Sequence, residues 1–100
     1  DDVELQARQV FRNLADVLKD SGSDLGRIIK MTTFLVGRGT LPGYRLVRDE
    51  ILGRPVPANT LVFIEGLAHP GYLVEIEAIA IAGAATVTQL RCSTLSARYA

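Results

Sequence analysis

"PANTLVFIEGLAHPGYLVEIEAIAIAG", residues 57–83, decides the fold. It contains two apolar runs, "NTLVFIE" (59–65) and "YLVEIEAIAIA" (72–82), joined by the Gly- and Pro-containing "GLAHPG". Both runs have the β-branched and aromatic composition of strands, and the short turn-rich connection predicts an antiparallel hairpin. Alternation along a strand then assigns the faces. Tyr72, Val74, Ile76, Ala78, Ala80 and Ala82 form one side, small enough to pack under helices. Leu73, Glu75, Glu77, Ile79 and Ile81 form the other. In the preceding run Val62 and Ile64 are expected on the helix side, leaving Asn59, Leu61, Phe63 and Glu65 with the glutamates. Two carboxylates in an aliphatic strand are costly unless paired, solvated or functional.

Upstream, residues 3–20 carry Val3, Ala7, Val10, Phe11, Leu14, Val17 and Leu18 at helical spacing, with Glu4, Arg8, Arg12, Asp16 and Lys19 opposite. Asp1 or Asp2 can cap this helix, and Gly22 stops it. "RIIKMTTFLV" (27–36) reads as a strand. "GRGT" is a turn in which Thr40 can cap a second helix, with Pro42 in its first turn and Tyr44, Val47 and Ile51 as its apolar stripe. Gly53–Arg54–Pro55 closes that helix. The order αβαββ predicts an α+β domain over residues 1–83, with two helices on one face of a mixed sheet. The tail 84–100 lacks helical periodicity; residues 86–93 are either an extra strand or a frayed terminus.

Composition narrows the function. Eleven basic and eleven acidic residues give zero net charge with no block of like sign, so a nucleic-acid partner is not expected. No apolar run approaches the roughly 20 residues of a spanning helix, and no membrane partner is expected. Cys92 is the single cysteine, which excludes an internal disulfide. His69 lies in the "LAHPG" turn without a second ligand at metal spacing, so neither metal nor cofactor is expected. The absence of a signal-like start favours the cytoplasm as the expected compartment. Hydrophobic residues make up 48% of a chain this small, more than a two-layer domain can cover by itself. A partner subunit over the glutamate face is therefore expected.

Three segments together are similar to a known family. "DDVELQARQVFRNLADVLKDSGSDLGRIIKMTTFLV" (1–36), the P-A-x-[ST] pattern at Pro57–Thr60, and "VEIEAIAIA" (74–82) resemble the Rid/YjgF family of enamine/imine deaminases. The resemblance runs from about Asp2 to Ala82. It implies a chorismate-mutase-like fold and a homotrimer with small-molecule clefts between subunits. It also implies N-terminal strands with no counterpart here, the expectation being a domain truncated at its start. By the same resemblance Glu75 orients or activates the attacking water, and Thr60 sits at the pocket rim. The family's Arg, which grips the carboxylate of a 2-imino acid, is replaced by Asn59, and its usual Asn in the second helix by Arg45. Arg offers a charged bidentate fork that Asn lacks, so an altered substrate or weak activity is expected. The expected site is thus Glu75 as catalytic group with Asn59, Thr60, Leu61 and Phe63 binding substrate. A non-catalytic small-molecule-binding trimer and a truncated structural homologue are the alternatives. The simplest structural role for Glu75 is a salt bridge to Arg27 or Lys30.

Overall fold

A computed structural model describes residues 2–82, together with the backbone of residues 86–93 and 97–99. Helix α1 spans Asp2–Asp20 and buries Val3, Ala7, Val10, Phe11, Leu14 and Leu18. Asp2 is its first residue and so lies inside the helix; Asp1, the other expected cap, lies outside the described residues. A short 3₁₀ turn at Leu25–Arg27 leads into β1, Ile28–Val36. A second such turn, Arg38–Thr40, precedes α2, Leu41–Leu52. Thr40 makes no side-chain cap; its hydroxyl instead donates to the Gly37 carbonyl at 2.6 Å. Gly53, at φ +68°, ends α2 in a conformation that a side chain would strain. Strands β2 (Ala58–Ile64), β3 (Val74–Ala82), β4 (Thr86–Ser93) and β5 (Ala97–Tyr99) follow.

The sheet order is β2-β1-β3-β4-β5, which overturns the expected hairpin. β1 lies between the two strands, parallel to β2 and antiparallel to β3. The cause is connectivity. A parallel pair needs a crossover of about a dozen residues, usually a helix, and α2 supplies it. The segment after Ile64 then crosses past β1 instead of folding back. Gln6 of α1 holds its far end: its amide nitrogen donates to the Gly71 carbonyl and its amide oxygen accepts from Leu73 N–H, both at 2.8 Å. Leu73 O in turn accepts from Val36 N–H at 3.0 Å.

Both helices cover one face. The β3 side chains alternate as expected, with Val74, Ile76, Ala78, Ala80 and Ala82 buried. β2 is the opposite of what alternation from its start predicts. Leu61 pairs with buried Thr33 and Phe63 with buried Leu35, so both lie on the helix side. Val62 pairs with Phe34, which pairs with Glu75, and this row lies on the open face. A one-residue slip inverts every side chain of a strand, and pairing sets the register here. The tail residues 86–93 form a strand along the whole of β3, and 97–99 add another. Positions 83–85, 94–96 and 100 lie outside the described residues.

A polar chain crosses the core. Tyr44 is fully buried and stacks on Phe11 with ring centroids 6.3 Å apart. Its hydroxyl lies 2.8 Å from Thr33 Oγ1, which donates to Asn59 Oδ1 at 3.1 Å. Thr33 has one proton to give, so the Tyr44 hydroxyl is the donor in the first bond. Burial raises the Tyr44 hydroxyl above its ordinary value near 10, with Thr33 and the Arg48 charge opposing. A folded-state value above the unfolded one is stability present below the unfolded value and lost as pH rises through the folded one. Urea titrations are therefore expected to show less alkaline destabilisation above pH 10 in Tyr44→Phe than in the wild type, and a loss of about 0.5–1.5 kcal/mol at neutral pH. Alkaline limbs of equal slope would contradict this.

Candidate functional site

The two faces of the sheet divide the expected site. Glu75 sits on the open face, half-buried, with Phe34 directly opposite on β1 and Val62 beyond it on β2. Glu77 heads the next row, opposite Thr32 and then Thr60. Thr60 is exposed and shares the face of the carboxylates. Asn59 does not. Its carboxamide oxygen is engaged by Thr33 on the helix side, and Leu61 and Phe63 lie on that side too. Of the five expected residues, the fold brings Thr60 to Glu75's face and turns the other three away.

The cations are placed with equal clarity. Arg54, a possible substitute for the missing family Arg, is 86% exposed and lies 4.0 Å from Asp49. Arg48 holds Asp49 through two bonds to Oδ1, of 3.0 and 2.9 Å, and lies over the Tyr44 ring. Arg38 lies 4.9 Å from the Phe63 ring centroid. Arg8 of α1 pairs with Glu50 of α2 on the outer helix surface, which keeps the Glu50 carboxyl below its usual range. Arg45 is exposed. On the open face of β1 stands Lys30, opposite Ile79 and beyond a bulge that leaves Ile29 without a partner in β3.

A shallow depression of about 110 Å³ opens between Lys30, Thr32, Glu77 and Ile79, beside the bulge and adjoining the Glu75 row. Bulges recur where a sheet re-aims side chains at a site. A larger groove of about 260 Å³ runs between Leu25, Ile28, Leu52 and Pro55–Pro57, lined without an ionisable group. His69 stacks on Tyr72 at 4.6 Å in the loop before β3. Among the described residues no group of three or more His, Cys, Asp or Glu is arranged to hold a metal ion. Among the described residues no helix is long and apolar enough to cross a membrane.

Residues 1–82 match the family described as Endoribonuclease L-PSP. The chain belongs to that family, the Rid/YjgF proteins. It is 36% identical over 78 residues to the mitochondrial protein mmf1 of Schizosaccharomyces pombe, covering 76% of this chain and 48% of mmf1. It is 30% identical over 78 residues to the mouse 2-iminobutanoate/2-iminopropanoate deaminase, covering 78% of this chain and 57% of the enzyme. Among solved structures it resembles Rv2704 of Mycobacterium tuberculosis, a member of the YjgF/YER057c/UK114 family. That match has a TM-score of 0.72 and 27% identity, over 75% of this chain and 64% of the other. The chain thus spans about half to two-thirds of the length of these relatives. The family carries the fold expected of it, helices on one face of a mixed sheet.

Sequence reasoning missed the Gln6 clamp, although "QARQ" in α1 was one of the segments that carried the resemblance. Because Leu73 lies two positions before Glu75, the clamp fixes where β3 begins and so the row Glu75 occupies. Gln6→Ala removes two neutral hydrogen bonds and is expected to cost about 1–3 kcal/mol. It should also speed amide exchange at Leu73 more than at buried Ile76. Exchange at Leu73 unchanged from wild type would contradict the clamp.

Proposed function

We propose that this chain hydrolyses the C=N bond of a small imine or enamine, with Glu75 as the group that activates water. The observation that carries the reading is Glu75's position: a half-buried carboxylate on the sheet face away from the helices, in one row with Phe34 and Val62. A partner closing over that face would hold a bound substrate against the carboxylate, within reach for proton transfer. Relatives about 30% identical that are named imine deaminases support the same chemistry.

In this reading Glu75 accepts a proton from water as the oxygen adds to the imine carbon. With the imine nitrogen already protonated this gives a neutral carbinolamine; Glu75 passes its proton to that nitrogen, and as the C–N bond breaks the hydroxyl gives its proton back to Glu75, leaving a carbonyl product and ammonia. Of the substrate-binding residues expected on β2, Asn59, Leu61 and Phe63 lie on the opposite face of the sheet from Glu75, so other groups must complete a pocket around it. A neighbouring copy, laid over the open face, would bring its own groups to Glu75. A homotrimer with small-molecule clefts between subunits fits this need, and the open face offers Phe34, Val62, Ile79 and Ile81 for the contact. Asn59 then belongs to the core more than to the substrate, which fits a substrate gripped differently from that of the family's arginine-bearing members. Zero net charge gives no footing for a nucleic-acid substrate.

Ammonia release from freshly generated 2-iminobutyrate tests the reading. Glu75→Gln is expected to slow it by about 10²–10⁴-fold, whereas Asn59→Ala should lower the melting temperature rather than the rate. A silent wild type, or Glu75→Gln as fast as wild type, would refute it.

A further inference from the structure

The turn that leads into β3 is built around the chain's one histidine. The His69 carbonyl accepts from Tyr72 N–H at 3.0 Å, closing a four-residue turn with Pro70 and Gly71 at its corners. Its side chain makes a second bond inside that turn: His69 Nδ1 accepts from Gly71 N–H at 3.3 Å. The imidazole also lies on the Tyr72 ring, with centroids 4.6 Å apart and planes 26° from parallel. A ring nitrogen that accepts carries no proton, so the Gly71 bond requires neutral imidazole with its hydrogen on Nε2.

The same stretch is what Gln6 grips. Gln6 donates to the Gly71 carbonyl and accepts from Leu73 N–H, both at 2.8 Å. The Gly71–Tyr72 peptide is therefore held from two sides, its carbonyl by Gln6 and its N–H by the His69 carbonyl. Glycine has the least restrained backbone of any residue, and the imidazole bond is what fixes the N–H of this one. Leu73 follows at once, bonded through its carbonyl to Val36 N–H, and Glu75 lies two positions further on.

The titratable group in contact with the imidazole is the Tyr72 phenol. Around Gln6, α1 carries Asp2, Glu4 and Arg8, of which Arg8 is paired with Glu50. β1 meets the turn at uncharged Val36, and Glu65 is exposed at the far end of the connection. Among the described residues His69 enters no ion pair. Imidazole is the side chain whose charge changes between about pH 5 and 8. Once protonated, both of its nitrogens donate, and Nδ1–H then meets Gly71 N–H donor to donor. The new charge is meanwhile attracted to the face of the Tyr72 ring, so the ring keeps Tyr72 and gives up Gly71.

We propose that His69 is a pH-sensitive latch: its protonation breaks the bond to Gly71 and loosens the turn that Gln6 holds at the start of β3. Acid is thereby felt at the approach to Glu75 without a change in any residue of the open face. The latch concerns how that strand end is held, and it stands or falls independently of the hydrolysis reading.

Amide protection factors of the 100-residue chain, measured by solvent-exchange NMR from pH 5 to 8 and corrected for intrinsic exchange, test it. Protection at Gly71 and Leu73 is expected to fall about 2- to 10-fold as the His69 ring takes up its proton, the range of one hydrogen bond. Buried Ile76 should not change over the same range. His69→Asn keeps a side-chain acceptor for the turn but cannot be protonated, so its protection should be flat with pH. His69→Leu, which has no acceptor, should sit at the acid level throughout. Wild-type protection at Gly71 and Leu73 that is constant from pH 5 to 8, or an equal fall in His69→Asn, overturns the latch.

Discussion

The placement of β1 between β2 and β3 is the constraint from which the rest follows. It is imposed by α2, whose length lets the chain cross over and return parallel to β1, and by the loop that then passes to the far side. Because both neighbours pair with β1, each β1 side chain fixes the face of one residue on either side. Thr33 thereby commits Leu61 and Ile76 to the core, and Phe34 commits Val62 and Glu75 to the open face. Asn59 and Glu75 cannot meet within one chain. In the proposed reading it is the open face, with Phe34 and Val62 beside Glu75, that a second copy covers.

Asn59, which the resemblance sets at the family's arginine position, lies on the helix side of the sheet and takes part in its packing. Asn59 ends a buried relay from Tyr44 through Thr33, and each donor in it has an acceptor. A neutral amide suits that place, where a guanidinium would have to be desolvated or extended past the sheet edge.

Much of this architecture was legible in the residues. The stripe of α1 and the alternation of β3 were read correctly, because each repeats over several turns or residue pairs and each is bounded by glycine or a composition change. β2 was not. Its seven residues alternate equally well in either phase, and only pairing with Met31, Thr33 and Leu35 selects one. The hairpin was misread because "GLAHPG" carries turn chemistry whether the chain folds back or crosses a strand. Glu75 stood out as a charge among aliphatics, whereas its row with Phe34 and Val62 joins residues distant in sequence and exists only through register. Gln6 was invisible for a related reason: a polar residue on a helix reads as solvated until a loop from the other end of the domain reaches it.

Sedimentation equilibrium of the 100-residue chain measures directly whether copies cover the open face. A mass of three times the 10.8 kDa chain is the predicted result, with dissociation when Val62 and Phe34 are both changed to Asp. A monomer at every accessible concentration would leave Glu75 facing water on an isolated sheet and contradict the account.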